Sequence, residues 1–159
     1  MQTKLSVLLA SLLLGLSVSV QAAGAHDHHA HGSQEPQKLQ LNAGQKWATD
    51  AALRQAMSDI NQAMATALPR IHQHQFDAAD YQALASTVSQ KVAYVVENCK
   101  LEAKADAMLH LVITDLLAGA EAMASKQPEA RHDGAVSVLS ALQAYGKYFQ
   151  HPGWKTAKG

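Results

Sequence analysis

From residue 49 onward, apolar residues recur at steps of three and four, the spacing that lines them along one side of an α-helix. Leu53, Met57, Ile60, Met64, Ala67 and Ile71 make the first stripe, with Thr49 or Asp50 as its cap. Pro69 lacks a backbone N–H and so kinks or ends this helix, which places its end between Leu68 and Gln73. Asp77 caps a second helix, with Asp80 three residues on to favour the helix dipole, and Tyr81, Leu84, Val88, Val92 and Val95 form its stripe up to near Cys99. Ala103 to Ser125 reads as the most buried helix, since Met108, Leu109, Val112, Ile113, Leu116, Leu117, Ala120 and Met123 cover more than one face. Pro128 fits the first turn of a fourth helix whose stripe is Val138, Leu139, Leu142, Tyr145 and Phe149, stopped by Pro152 and Gly153.

Short connections make sequential helices antiparallel, so the expected fold is an all-α, up-down-up-down four-helix bundle over residues 39–154, with 155–159 as a flexible tail. That topology sorts side chains by end. Trp47, Cys99, His151 and Trp154 fall at one pole; His72, His74 and His132 fall at the other.

The amino-terminal part reads differently. Lys4 precedes an apolar stretch from Leu5 through Val20, followed by small residues, the order of a secretory signal peptide over 1–22. It is too short and too rich in serine to span a bilayer, and no other run approaches roughly 18 uncharged apolar residues. Export to the periplasm is therefore expected, with no membrane attachment after cleavage. Cleavage after Ala22 fits the small-residue preference best; cleavage after Ala25 is the alternative. Residues 23–38 are polar, contain Gly and Pro, and read as a flexible arm ahead of the folded domain.

That arm carries the strongest chemical signal of the chain. His26, His28, His29 and His31 stand within six residues, with Asp27 among them. Several neutral imidazoles on a short flexible segment chelate divalent transition metals, Cu(II) above Ni(II) and Zn(II) in affinity. If cleavage fell after Ala25, His26 would be first and His28 third, and the free amine, two amides and the third-position imidazole would make a square-planar copper site.

Composition narrows the partners. The formal net charge is zero at pH 7, and loss of Lys4 makes the exported form slightly negative, which removes the electrostatic basis for binding nucleic acid or an anionic membrane. Cys99 is the single cysteine, so no intramolecular disulfide forms even in an oxidising compartment. Stability must come from packing. The sequence names no protein partner and no oligomeric state.

Within the bundle, Cys99, Met57, Met108, His110 and His151 are the groups a folded copper site would draw on. Met57 and Met108 lie on apolar stripes, where methionine fills gaps, and His110 among apolar neighbours is expected as a hydrogen-bonded core histidine. Asp106 and His110 form a helical i,i+4 pair. His72 and His74 would chelate only with His132 or a carboxylate close by. There is no C-x-x-C-H, so covalent haem attachment is excluded, and non-covalent haem would use Met57 and His151, positions similar to those of small periplasmic b-type cytochromes. No G-x-S-x-G, H-E-x-x-H, phosphate-binding Gly-rich loop or set of paired Glu-x-x-His motifs appears, so catalysis is not expected.

Three segments carry a family likeness: Leu41 to Asp50 (LNAGQKWATD), Asn98 to Asp106 (NCKLEAKAD) and Tyr145 to Trp154 (YGKYFQHPGW). Over most of residues 39–154 the chain resembles small exported bacterial proteins of the DnrO-like family. The resemblance implies an exported helical domain and brings no ligand set with it. The readings that follow are a periplasmic metal-ion binding protein, most plausibly for copper; a helical interaction or sensor-type bundle with incidental histidines; and a b-type haem electron carrier.

Overall fold

The computed structural model describes residues 38–158, and among them four helices form where the apolar steps place them. The expected signal peptide and all of the arm but Lys38, including His26, Asp27, His28, His29 and His31, lie outside the described residues. α1 (Ala51–His72) starts at Asp50, whose carboxylate accepts the Leu53 amide at 2.8 Å. Pro69 is accommodated inside its last turn, and the helix ends at His72. α2 (Ala78–Asn98) begins with a reciprocal capping box: Asp77 accepts the Asp80 amide and Asp80 accepts the Asp77 amide, at 2.9 and 3.1 Å.

α3 (Ala103–Met123) and α4 (Pro128–Tyr148) follow, with Pro128 at the start of α4 where its missing N–H costs nothing. Each helix packs on its neighbour in sequence and α4 closes on α1, an all-α four-helix bundle with short loops. Leu53, Ile60, Met64, Val88, Val112, Leu116, Met123, Val138 and Leu142 are wholly buried along its axis. Each such side chain stabilises the fold by about 1.5–3 kcal/mol relative to exposure. None of the described helices is long and apolar enough to cross a membrane.

α3 and α4 approach most closely, because small residues face each other there. A methyl group on Gly134 would stand 2.6 Å from the Gly119 carbonyl oxygen and 2.5 Å from the Met123 nitrogen. The two backbones therefore touch, with no side chain between them.

Three expectations are corrected. Leu117 is 42% exposed, because the buried line of α3 runs through Leu116, Ala120 and Met123 and leaves its neighbour outside. His110 is no core histidine: its side chain is 65% exposed, on the outer side of the helix from Leu109 and Val112. The chain beyond Trp154 does not hang free either. Asn61 of α1 donates to the Lys155 carbonyl at 3.0 Å and accepts the Ala157 amide at 2.8 Å, and Ala157 is buried. The packed domain thus extends to Ala157, since one amide side chain satisfies two backbone groups of the strap.

Candidate functional site

The pole predicted to hold Trp47, Cys99, His151 and Trp154 does hold them. Ahead of α1, Asn42 and Gln45 bond each other's backbone in both directions across Ala43 and Gly44, whose φ values of 48° and 84° are those of a tight hairpin turn. The chain then runs to Trp47, whose amide donates to the Tyr148 carbonyl and whose carbonyl accepts the Gln150 amide, both at 2.8 Å. These bonds clamp the entry of α1 to the exit of α4. The buried Trp47 indole donates to the Gln40 carbonyl at 2.7 Å, so its one polar atom is satisfied.

Asp50 joins a third segment to this pole. One carboxylate oxygen caps α1 and the other accepts the Lys100 amide at 2.6 Å, holding the α2–α3 loop. Burial acts to raise the Asp50 carboxyl, but hydrogen bonds from the Leu53 and Lys100 amides and from Cys99 leave it below the usual carboxylate range. The same carboxylate works in the opposite sense on Cys99. Burial first, then the adjacent negative charge, push that thiol up to about 12, so it stays protonated near neutral pH. A protonated thiol is a poor metal ligand.

Tyr145 is fully buried, and its hydroxyl reaches one partner, His151 Nδ1 at 2.9 Å. The phenolic proton has nowhere else to go, so the hydroxyl donates and Nδ1 accepts, leaving Nε2–H to donate to Ser58 Oγ at 3.4 Å. His151 is therefore neutral in this arrangement. Burial, then the Arg54 guanidinium, lower its proton affinity below the ordinary histidine value. Trp154 packs edge-on against the Tyr145 ring and over Gly146, where a methyl group would collide with the indole. Both ring nitrogens of His151 are in use, and Met57 is buried among apolar side chains.

The opposite pole carries an open cleft of about 550 Å³ between the α1–α2 loop and the first turns of α4. Ile71, Phe76, Tyr81 and Pro128 give it apolar walls, and His74, Glu129, Arg131, His132 and Asp133 line it as well. Phe76 meets Tyr81 edge to face at 4.8 Å, and Arg70 lies over the Phe76 ring while pairing with Asp80 at 2.6 Å. His74 holds φ at 56°, in the left-handed region that is uncommon outside glycine and that Asn, Asp and His enter most often. His74 and His132 do share this cleft, whereas His72 does not line it. A single Glu-x-x-His step, Glu129 to His132, is the local signal of this cleft in the sequence, and it stands alone where a di-metal bundle needs two.

Among the described residues, no three His, Cys, Asp or Glu side chains converge as a metal would require. Cys99, Asp106 and His110 line a small pocket of about 200 Å³ between α2 and α3, with His110 Nδ1 donating to the Asp106 carbonyl at 2.9 Å. No family model, no curated protein and no solved structure matches the chain.

Proposed function

We propose that the protein captures divalent metal ions outside the cytoplasm, copper foremost, through the His26, Asp27, His28, His29 and His31 cluster, and that the helical bundle is its stable body. One observation carries the reading: four imidazoles and a carboxylate fall within six residues, directly behind a segment with the order of a secretory signal. The resemblance to DnrO-like exported proteins belongs to the same proposal and favours a periplasmic location. Binding without turnover is the expected activity. The bundle's own donors support assigning capture to the arm, since the Cys99 thiol is protonated and both His151 nitrogens are engaged.

The test is to titrate Cu(II), Ni(II) and Zn(II) into the chain beginning at Ala23 and into one lacking residues 23–34. Tight binding in the first and its loss in the second are expected, with copper strongest. Equal, weak affinity of the two forms would overturn the proposal. Mass spectrometry of the protein recovered from its host would show both its amino terminus and any metal it carries.

A further inference from the structure

The cleft between the α1–α2 loop and the start of α4 contains two donors that the fold itself does not use. The Tyr81 ring is packed away, the residue being only 7% exposed, while its hydroxyl has no hydrogen-bond partner among the described residues and opens to the cleft. Open to solvent there, the hydroxyl can exchange water for an acceptor on a ligand. Arg131, half-buried beside it, donates from Nε to the Ser125 carbonyl at 2.9 Å and from Nη2 to the Lys126 carbonyl at 2.8 Å. Those bonds fix the guanidinium plane and leave Nη1 without a partner among the described residues. The Arg131 charge acts on the Tyr81 phenol, which burial keeps protonated and therefore a donor.

Around these donors stand Ile71, Phe76 and Pro128, enough apolar surface for a compact ring. Glu129 and Asp133 give the rim the opposite sign, but both are exposed, Asp133 at 81%, so water screens their charges. The half-buried cation and the phenol hydroxyl beside it then decide which ligand group enters. We propose that this cleft binds small monocarboxylates with an aromatic or branched apolar body, the carboxylate accepting from Tyr81 Oη and Arg131 Nη1 and the body resting on Phe76, Ile71 and Pro128. This site is independent of the histidine arm.

The probe is phenylacetate, with phenethylamine as the isostere of opposite charge, each titrated into the chain beginning at Ala23 and followed by NMR. Shifts of the Ile71, Phe76 and Tyr81 signals with a Kd of about 1 mM are expected for phenylacetate, the scale set by so few ligand atoms. Phenethylamine should bind at least about tenfold more weakly. Tyr81→Phe keeps the ring and removes the donor, and should weaken phenylacetate about fivefold, equivalent to ~1 kcal/mol for one neutral hydrogen bond. Arg131→Lys keeps the charge but loses the fork; if it fails to fold, Tyr81→Phe alone decides the matter. Equal binding of the two isosteres, no shifts at the cleft, or unchanged affinity in Tyr81→Phe would each overturn the inference.

Discussion

Gly134→Ala should destabilise the bundle, against the intrinsic preference of the helix. Gly134 lies inside α4 and is buried. In a helix interior, alanine is favoured over glycine by roughly 0.8–1 kcal/mol, so on propensity alone the change stabilises. The structure reverses the sign. The added methyl group would stand 2.5 Å from the Met123 nitrogen and 2.6 Å from the Gly119 oxygen, where ordinary contact begins at 3.4 Å, so α3 and α4 must part by about 0.9 Å. Both obstructing atoms are backbone, and no side-chain rotation relieves the clash. A gap of 0.5–1 Å already forfeits a quarter to a half of each dispersion contact along a seam, and overpacking costs about 1–3 kcal/mol in well-packed interiors. We expect a net loss of about 1–2 kcal/mol after the propensity gain. Urea denaturation followed by far-ultraviolet circular dichroism measures it, with Ala83→Gly on the exposed side of α2 as the propensity control, expected to cost about 1 kcal/mol. A Gly134→Ala protein more stable than the parent would refute the close approach of α3 and α4.

Other perturbations read other parts of the molecule. Leu116→Ala empties a wholly buried position and should cost about 2–5 kcal/mol; a cost near zero would disprove the assigned core of α3. Asp50→Ala removes the α1 cap and the Lys100 tie together, and should lose at least the ~1–2 kcal/mol of a cap alone in the same denaturation assay. His151→Phe strands the Tyr145 hydroxyl and should cost about 1–3 kcal/mol, much of which Tyr145→Phe in the same chain should restore. The same histidine sets a pH dependence. Its folded proton affinity is below its unfolded one, so the unfolded chain binds more protons, and stability should fall as pH drops below about 6.5 and level off beneath the lower native value. His151→Phe should flatten the part of that slope that His151 contributes. His74→Gly should stabilise by about 0.5–1 kcal/mol by relieving the left-handed backbone, unless ring contacts in the cleft offset it.

Helix positions were legible because each stripe has a single period and a chemical start or stop. Asp50, Asp77, Pro128 and Pro152 mark ends by hydrogen-bonding capacity, which is local and needs no tertiary knowledge. The pole shared by Trp47, Cys99, His151 and Trp154 was also legible, since antiparallel connection alone brings those positions together. What the sequence hid are features decided by the partner of a residue. Leu117 and Leu116 are alike in type, and only the direction of α2 and α4 buries one and exposes the other. His110 has apolar sequence neighbours but faces outward. Nothing local marks Asn61 as the anchor of residues 155–157, because an asparagine on a helix surface is ordinarily solvated. The cleft was half visible: His74 and His132 fall at one end by topology, but Tyr81 reads as a core residue of the α2 stripe and nothing local singles out Arg131.

The two poles differ in how their polar groups are satisfied, and that difference separates scaffold from site. At the Trp47 pole the Asp50 carboxylate, the Tyr145 hydroxyl, the His151 ring, the Trp47 indole and the Asn61 amide all have partners within the fold. Leaving the buried Trp47 indole or Tyr145 hydroxyl unpaired would cost about 1–3 kcal/mol, so stability explains the bonds they make. At the other pole the Tyr81 hydroxyl and one Arg131 guanidinium nitrogen are open to a cleft and have no partner among the described residues. Stability does not account for the hydroxyl, since phenylalanine at 81 would serve the bundle as well. Substitutions at the Trp47 pole should therefore appear in denaturation curves, whereas Tyr81→Phe should leave stability near that of the parent and appear in ligand binding.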